Sequence, residues 1–366
     1  MKLRARKFFA WILCVVLTLG GMEMVCQLAF RMGHPEWYWQ VRRRAVARVI
    51  EVHPYYGADL AANVTLEDNG LRFTHNSHHC RGQDFVCPKP AGLTRIVAMG
   101  GSSTYCAGVS DDQTWEYYLQ RDLGTNYEVI NMAFPGGTSL ESMIKSAFVF
   151  IGVQPDYAFY YLGWNDAQVQ HVKDLAPDWA DSHGKLVTSG ALNGRGKSSP
   201  TALGYFIQRM AFAYFFPHMD TDYAITHMQG TADAFTDRVD QRALNLYERN
   251  LRLIVAVDRR QGVEPVFIPQ MMNYDILTSE TPYGWLPFLR DKDLKKIIGA
   301  YNDTMARVAK EEHVRFVSEM LDVHFQQSDF LDQGHFSPAG NRLFAQTLAR
   351  VVPGKPAITN AVVAVH

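Results

Sequence analysis

The sequence RIVAMGGSST, residues 95–104, decides the fold of this chain. A short apolar run is typical of a buried strand, and the glycines and small hydroxyl residues behind it indicate a sharp corner that opens a helix. Turn and capping chemistry alone would account for these residues. A serine at the end of a buried strand can also be a nucleophile, and the rest of the chain decides between these two interpretations.

From Arg95 onward, apolar strand patterns alternate with helical patterns. Each crossover between parallel strands must return over one face of the sheet, so this alternation predicts helices on both faces. We expect an α/β fold, a three-layer α/β/α arrangement around a five-stranded, mostly parallel sheet, preceded by an N-terminal transmembrane helix. The predicted strands are 95–99, 127–134, 157–163, 264–270 and 314–320, and the predicted helices are 113–123, 139–152, 240–261, 291–312 and 338–352.

Composition limits the classes of function. The chain has 366 residues, is 47% hydrophobic, and balances 36 basic against 37 acidic side chains, for a formal net charge of -1. This length and apolar content suffice for a buried core. The charge balance gives no electrostatic basis for wrapping nucleic acid, so we expect no nucleic-acid partner.

The N-terminus predicts a membrane anchor. A basic tip at 1–7 precedes an apolar run that extends a helix to roughly 20–25 residues, the length that spans a bilayer. A cleaved signal peptide is the alternative, but no small-x-small cleavage site follows the run, which favours a retained anchor over residues 1–32. The segment VRRRAVAR at 41–48 is also basic, yet long domains translocate largely regardless of charge, so we place the body outside the cytoplasm.

The rest of the chain divides into three parts. Residues 33–68 are interpreted as a juxtamembrane linker, 69–352 as the folded domain, and 353–366 as a C-terminal tail. Strand and helix patterns break down between 167 and 237, and so long an excursion indicates an insertion. It could form a lid or a substrate-binding element, or its apolar face could pad the core.

Cys80 and Cys87 enclose a short loop, CRGQDFVC. In an oxidising compartment a disulfide between them is the simplest use of this pair. Zinc is the alternative, because His75, His78 and His79 lie just upstream, although the spacing matches no common zinc module. We expect no metal and no cofactor.

Polar fragments follow four predicted strands, and the carboxyl ends of parallel strands meet at one edge of a sheet. His335 follows Asp332 by three residues, a spacing that lets the carboxylate hold one imidazole nitrogen while the other faces a hydroxyl. His324 is a competing base with poorer spacing, and Ser103 is a competing nucleophile. The fragments are GGSST with Ser102, NMAFPGGTS with Gly136, LGWND with Asn165, and DQGHFSPAGN with Asp332 and His335.

Other nucleotide and hydrolase motifs are absent from the sequence. An α/β-hydrolase elbow requires Gly-x-Ser-x-Gly, and neither Ser102 nor Ser103 has glycine two places away on both sides. A P-loop requires Gly-Lys-Ser/Thr, and no lysine occurs between Lys89 and Lys145.

Together the four fragments resemble the SGNH hydrolases, the GDSL esterase/lipase superfamily, and specifically its membrane-anchored type. The resemblance covers roughly residues 69–350 and begins with NGLRF at 69–73. It implies that Ser102 is the nucleophile, and that Ser102, Gly136 and Asn165 form the oxyanion hole. It also implies that Asp332 and His335 complete a catalytic triad. The sequence departs from the family's Gly-Asp-Ser by placing Gly101 where aspartate is usual.

The resemblance and the spacing together predict a membrane-anchored serine esterase. The expected substrate is an O-acyl or O-acetyl ester of a carbohydrate or lipid-like molecule, cleaved through an acyl-enzyme. Trp164 and the aromatic residues of 205–216 could line the substrate pocket or only pack. An O-acyltransferase of cell-envelope polysaccharide would use the same triad, and a non-catalytic polysaccharide-binding domain is the alternative from another class.

Overall fold

The computed structural model describes residues 2–34, 37–40, 49–68, 70–172, 175–178, 199–215, 235–280, 286 and 288–352. The strands are β1 (Ile50–His53), β2 (Gly57–Leu60), β3 (Val64–Asp68), β4 (Leu71–His75), β5 (Thr94–Gly100), β6 (Tyr127–Asn131), β7 (Tyr157–Tyr161), β8 (Glu264–Ile268) and β9 (Arg315–Phe316). The α-helices are α1 (Lys2–Gly33), α2 (Ser102–Tyr105), α3 (Trp115–Leu123), α4 (Ser139–Val153), α5 (Ala202–Phe215), α6 (Gln241–Arg260), α7 (Leu294–Glu311) and α8 (Pro338–Val351).

Five strands form one sheet in the order β6-β5-β7-β8-β9, and every pair in it is parallel. β5 therefore lies inside the sheet, between β6 and β7, with Gly100 opposite Tyr161. This confirms the predicted five-stranded parallel sheet. The corner after β5 opens at the carboxyl edge, where α/β proteins place their sites.

Helices cover both faces of the sheet, as the three-layer prediction requires. Along β7, Ala158 and Tyr160 face one core with α4, α6 and α7, while Phe159 and Tyr161 face the other with α3 and α8. Side chains alternate along a strand, so burial on both faces explains why the strands read as continuous apolar runs. Each large apolar side chain buried in this way contributes about 1.5–3 kcal/mol.

The five main helices begin and end within a few residues of their predicted bounds, because capping residues mark their starts. Thr138 and Glu141 form a capping box at α4, and the Ser337 hydroxyl caps α8 ahead of Pro338. Four strands are shorter than predicted, and β6 and β9 are shortened most. β6 ends at Asn131, whose side chain accepts the N–H of Ala133, and the chain leaves β9 at Val317, whose ψ is 69°.

Residues 50–75 correct the predicted domain boundary. The segment 33–68 was expected to be a linker, but its described part contains three strands, and β3 pairs with β4 across position 69. Ile50, Tyr56 and Leu60 are buried against residues that flank the GGSST and FPGG motifs. The folded domain therefore begins near residue 49, because apolar residues in these short strands complete its core.

The predicted insertion is described only in part, since residues 173–174, 179–198 and 216–234 lie outside the described chain, as does the predicted tail 353–366. Its one described α-helix, α5, packs its first turns against α1 through Ala202 and Tyr205. α1 contains an apolar stretch, Arg6–Gly33, long enough to cross a membrane. The described helix thus contacts the N-terminal helix.

A buried ion pair ties the β1–β2 hairpin to α4. Lys145 Nζ lies 2.7 Å from Asp59 Oδ1, and Tyr56 donates its hydroxyl proton to Asp59 Oδ2 over 2.6 Å. Both ionic side chains are buried. Removing one partner of such a pair leaves an uncompensated charge, which is far more costly than removing both.

We therefore predict that Lys145→Met lowers the free energy of unfolding by about 3–5 kcal/mol. The double variant Asp59→Asn/Lys145→Met should recover a large part of that loss. Denaturant unfolding of the three proteins measures both effects. A Lys145→Met variant as stable as the parent chain would show that the hairpin is not held by this pair.

Candidate active site

The four sequence fragments meet at the carboxyl edge of the sheet. Ser102 lies two residues beyond β5, and Asn165 follows β7 by a short turn. His335 lies in the loop that enters α8 and reaches Ser102 across 233 positions of sequence. The topology therefore brings together residues that the sequence keeps far apart.

The corner between β5 and α2 needs glycine for steric reasons. A Cβ on Gly100 would lie 2.2 Å from Thr104 Oγ1 and 2.5 Å from the carbonyl oxygen of Tyr161. Its φ of +157° is also one that other residues rarely adopt. The turn can therefore place Ser102 at the first position of α2, next to the strand end.

Ser102, His335 and Asp332 form a hydrogen-bonded relay. Ser102 Oγ lies 2.8 Å from His335 Nε2, and His335 Nδ1 lies 2.7 Å from Asp332 Oδ2. An ionised carboxylate only accepts, so Nδ1 carries the proton and Nε2 is free to accept from the serine. The sequence prediction placed these three residues together, and the geometry is that of a base directed at a nucleophile.

The Asp332 carboxylate is held in its charged form. Burial opposes ionisation, but hydrogen bonds from the His335 ring and from the backbone N–H groups of Gly334 and His335 outweigh it and lower the Asp332 pKa. Both backbone bonds are 2.9 Å long. The carboxylate can therefore orient the imidazole and stabilise its protonated form at any pH near neutrality.

Asn165 and the FPGG loop lie beside Ser102. The Asn165 amide donates to the carbonyl oxygen of Gly137 over 2.7 Å. A Cβ on Gly101 would lie 2.0 Å from Asn165 Nδ2, so glycine at this position makes room for the amide. This close approach is a physical reason for the departure from Gly-Asp-Ser noted in the sequence.

A cavity of about 10 Å³ lies against Ser102, the space of about one water molecule. Asn165, Gly137, Trp164 and Gln270 are among the residues that line it. The lining includes Gly137, while the predicted oxyanion residue Gly136 precedes it with a φ of +89°. Gln270 was not singled out from the sequence, and its position at the end of the predicted strand 264–270 is the signal that could have found it.

Asp166 fixes the loop that carries Asn165. Burial raises the pKa of this carboxyl to about 7, although hydrogen bonds from Ser139 oppose the shift. The Ser139 N–H and hydroxyl donate to it over 3.0 and 2.5 Å, and the Gly163 N–H donates over 3.3 Å. The loop after β7 is thus attached to the first turn of α4.

Arg81 holds the helix that carries Ser102, a role that sequence analysis missed. Its guanidinium donates to the carbonyl oxygens of Tyr105, Cys106 and Val109, and pairs with Asp111 at 3.0 Å. Cys106 follows the last residue of α2 and has a left-handed backbone conformation. The carbonyl groups in the last turn of a helix lack hydrogen-bond partners within the helix. A buried arginine supplies donors for several of them.

His75 supports the same helix from the N-terminal strands. Its Nε2 lies 2.9 Å from the Tyr105 hydroxyl and its Nδ1 lies 3.1 Å from the carbonyl oxygen of Ala61. Burial lowers the His75 pKa to about 4, so the imidazole is neutral near pH 7. It therefore works as a fixed hydrogen-bonding group there.

The predicted disulfide is not formed: Cys80 and Cys87 are both free thiols. Cys80 is buried with its Sγ donating to the carbonyl oxygen of His78, whereas Cys87 is exposed, so the two side chains occupy different environments. Zinc was the alternative use of this segment. Among the described residues, no group of three or more His, Cys, Asp or Glu side chains could hold a metal ion. His75 and His79 instead contact backbone carbonyls.

Ser103 and His324, the competing nucleophile and base, have other surroundings. Ser103 is buried, and its hydroxyl donates to the carbonyl oxygen of Gly334 over 2.9 Å. His324 is exposed on the surface. Ser103 thus helps hold the His335 loop, and the structure pairs Ser102 with His335.

A parallel α/β/α sheet with a Ser-His-Asp relay at its carboxyl edge defines a serine hydrolase. The family model of the GDSL-like lipase/acylhydrolase family matches residues 98–343, and this chain belongs to that family. It is therefore a serine hydrolase that acts on ester bonds. The search of curated proteins finds no match to the chain.

Several solved structures are similar to this chain, with low sequence identity. TesA is 15% identical, and the match covers 70% of this chain and 96% of TesA with a TM-score of 0.39. A GDSL-like lipase from Bacteroides thetaiotaomicron is 13% identical, with 70% and 85% covered and a TM-score of 0.39. The M. smegmatis aryl esterase is 14% identical, with 70% and 97% covered and a TM-score of 0.40.

We predict that Gly101→Ala lowers kcat for a soluble ester on the order of 100-fold, because the new methyl group displaces the Asn165 amide from the site. Gly299→Ala is the matched control, since nothing lies within 4 Å of a Cβ at that helical position. Steady-state hydrolysis of p-nitrophenyl acetate compares the two. Equal kcat values in both variants would contradict a role of the Asn165 amide in the reaction.

Proposed function

We propose that this chain is a membrane-anchored serine esterase that cleaves O-acyl or O-acetyl esters of a carbohydrate or lipid-like substrate, with its domain outside the cytoplasm. The single observation that carries the proposal is the relay from Asp332 through His335 to Ser102, with distances of 2.7 and 2.8 Å. A hydroxyl next to an oriented imidazole is the arrangement that activates a serine.

The first half of the reaction forms an acyl-enzyme. Ser102 Oγ attacks the ester carbonyl carbon while His335 Nε2 takes the hydroxyl proton, and Asp332 stabilises the resulting imidazolium. The negative charge on the carbonyl oxygen is stabilised by the N–H groups of Ser102 and Gly136 and by the Asn165 amide. Collapse of this intermediate breaks the ester C–O bond, and the departing alcohol takes the proton from His335.

The second half returns the enzyme to its starting state. Water attacks the acyl carbon while His335 accepts its proton. The Ser102 Oγ–C bond then breaks, Ser102 recovers the proton from His335, and the free acid leaves. Each side chain ends the cycle as it began, so the scheme needs no cofactor.

The size of the site supports a short acyl group. The cavity beside Ser102 has room for about one water molecule, which is close to the size of the methyl group of an acetyl ester. Trp164 closes one side of this space, and its ring centroid lies 5.2 Å from that of His335. The larger alcohol part of the substrate then lies toward the open side of the site.

The N-terminal helix supports the anchor. The most apolar 18-residue window of Arg6–Gly33 has a mean hydropathy of 2.0, and none of that window is buried by the rest of the chain. Four basic residues precede or begin this stretch, and the positive-inside tendency places them in the cytoplasm. The catalytic domain follows on the other side of the membrane.

We predict that a fluorophosphonate probe labels the full chain at Ser102. Ser102→Ala should abolish labelling and lower ester hydrolysis by at least about 1000-fold, because Ser102 is the hydroxyl that His335 contacts among the described residues. Ser103→Ala is the matched control, since its hydroxyl donates to the Gly334 carbonyl oxygen and not to His335. Labelling that disappears in the control but persists in Ser102→Ala would contradict the proposed nucleophile.

Measurement of free acid tests hydrolysis against transfer. The proposal expects stoichiometric release of acetate from an acetyl ester, unchanged when a saccharide acceptor is added. Acylated saccharide in place of free acetate would identify an acyltransferase that uses the same residues.

A further inference from the structure

Helix α5 (Ala202–Phe215) is the described part of the insertion, and its first turns are attached to α1. The Glu23 carboxylate accepts the N–H groups of Ala202 and Leu203 over 2.9 and 2.8 Å. Glu23 lies inside the apolar stretch of α1, where a carboxylate is costly unless it is paired. The start of α5 supplies that pairing, so the two helices meet at the depth of Glu23.

An aromatic cluster extends this contact toward the end of α1. Tyr205 packs against Phe30 and Tyr38 with ring centroids 5.7 and 5.1 Å apart. Tyr38 also donates its hydroxyl proton to the carbonyl oxygen of Ser199 over 2.8 Å. The contact therefore involves apolar packing and hydrogen bonds on both sides of the α5 start.

Beyond its first turns, α5 exposes large apolar side chains. Ile207 is 53% exposed, Met210 is 63% exposed and Tyr214 is 80% exposed. Their spacing of three and four residues places them along one side of the helix. α5 contains a single charged residue, Arg209, so this surface is unusually apolar for one that faces water.

The depth of Glu23 indicates where this apolar surface lies. Arg6 and Glu23 are about 26 Å apart along the helix, a little less than the roughly 30 Å hydrocarbon core of a bilayer. Glu23 and the start of α5 then lie near the outer boundary of that core. With 14 residues, α5 is shorter than the roughly 20 needed to span it.

We infer that α5 lies in the membrane–water interface on the extracytoplasmic side of the bilayer, with Ile207 and Met210 inserted among the lipid acyl chains. The inference rests on the proposed anchoring of α1 and adds a second lipid contact formed by the insertion. Lipid is the occupant because α5 starts beside Glu23, and α1 exposes the apolar side chains of Met22, Met24 and Val25 around that residue. The hydrolase domain is thereby held at the bilayer surface by two elements.

Fluorophore depth measurements on the full chain in lipid vesicles test this inference. Cys14, Cys26 and Cys87 are replaced by serine, and single cysteines at Met210, Leu17 or Leu321 carry an environment-sensitive dye. Leu321 is the control, because it is 51% exposed on the hydrolase domain and apolar like Met210. Lipids bearing nitroxide groups on their acyl chains quench only dyes that reach them.

We expect the dyes at 210 and 17 to be quenched at least about twofold more than the dye at 321. Glu23→Ala should reduce quenching at 210 and leave quenching at 17 unchanged, because it removes the contact that places α5. Unchanged quenching at 210 in Glu23→Ala would contradict that placement.

The remaining outcomes separate the two proposals. Quenching at 17 without quenching at 210 overturns the α5 inference and leaves the anchor intact, whereas no quenching at either position overturns the anchor itself. A dye at 210 that reports an apolar environment, escapes lipid quenching and depends on protein concentration would identify a second copy of this chain as the occupant.

Discussion

A single turn of helix has too few internal hydrogen bonds to fix the direction of its side chains, and the candidate active site depends on how the rest of the chain holds α2. Arg81 satisfies carbonyl groups at its C-terminal end, and His75 contacts the Tyr105 hydroxyl. The Asn131 amide donates to the carbonyl oxygen of Thr104 over 2.9 Å. Ser102 is therefore positioned by side chains from several elements, each packed into the domain.

This arrangement makes the N-terminal strands part of the catalytic unit. Arg81 and His75 precede residues 98–343, the range that the family model matches. The ion pair of Asp59 with Lys145 attaches the same segment to α4, the helix that follows the FPGG loop. The segment between α1 and the sheet thus links the N-terminal part of the chain to the residues around Ser102.

The sheet, the helices over it and the Ser102–His335 pairing could be predicted because each leaves a local signal in the sequence. Apolar runs mark buried strands, capping residues mark helix starts, and four polar motifs follow strand ends. Arg81 left no such signal, since it lies between Cys80 and Cys87, whose spacing suggested a disulfide instead. The strands of 50–68 were missed because they contain few apolar residues. Their burial depends on a core formed with residues distant in sequence.

The same limit explains why packing against α1 could not be foreseen for α5. Its aromatic, apolar sequence fits a core helix and a lid equally well, and only the contact of Glu23 with Ala202 shows that its first turn lies against α1. Helices and strands with a regular apolar pattern can thus be predicted from the sequence alone. Long-range hydrogen bonds between irregular segments are not, because no spacing rule connects their partners.

The central claim is that Ser102 and His335 act as one unit, and a double-mutant cycle on kcat for a soluble acetyl ester tests it most directly. The account predicts that Ser102→Ala, His335→Ala and the double variant have nearly the same residual kcat, since removing either residue removes the whole relay. Losses that multiply in the double variant would show that the two residues act independently, and would contradict the account.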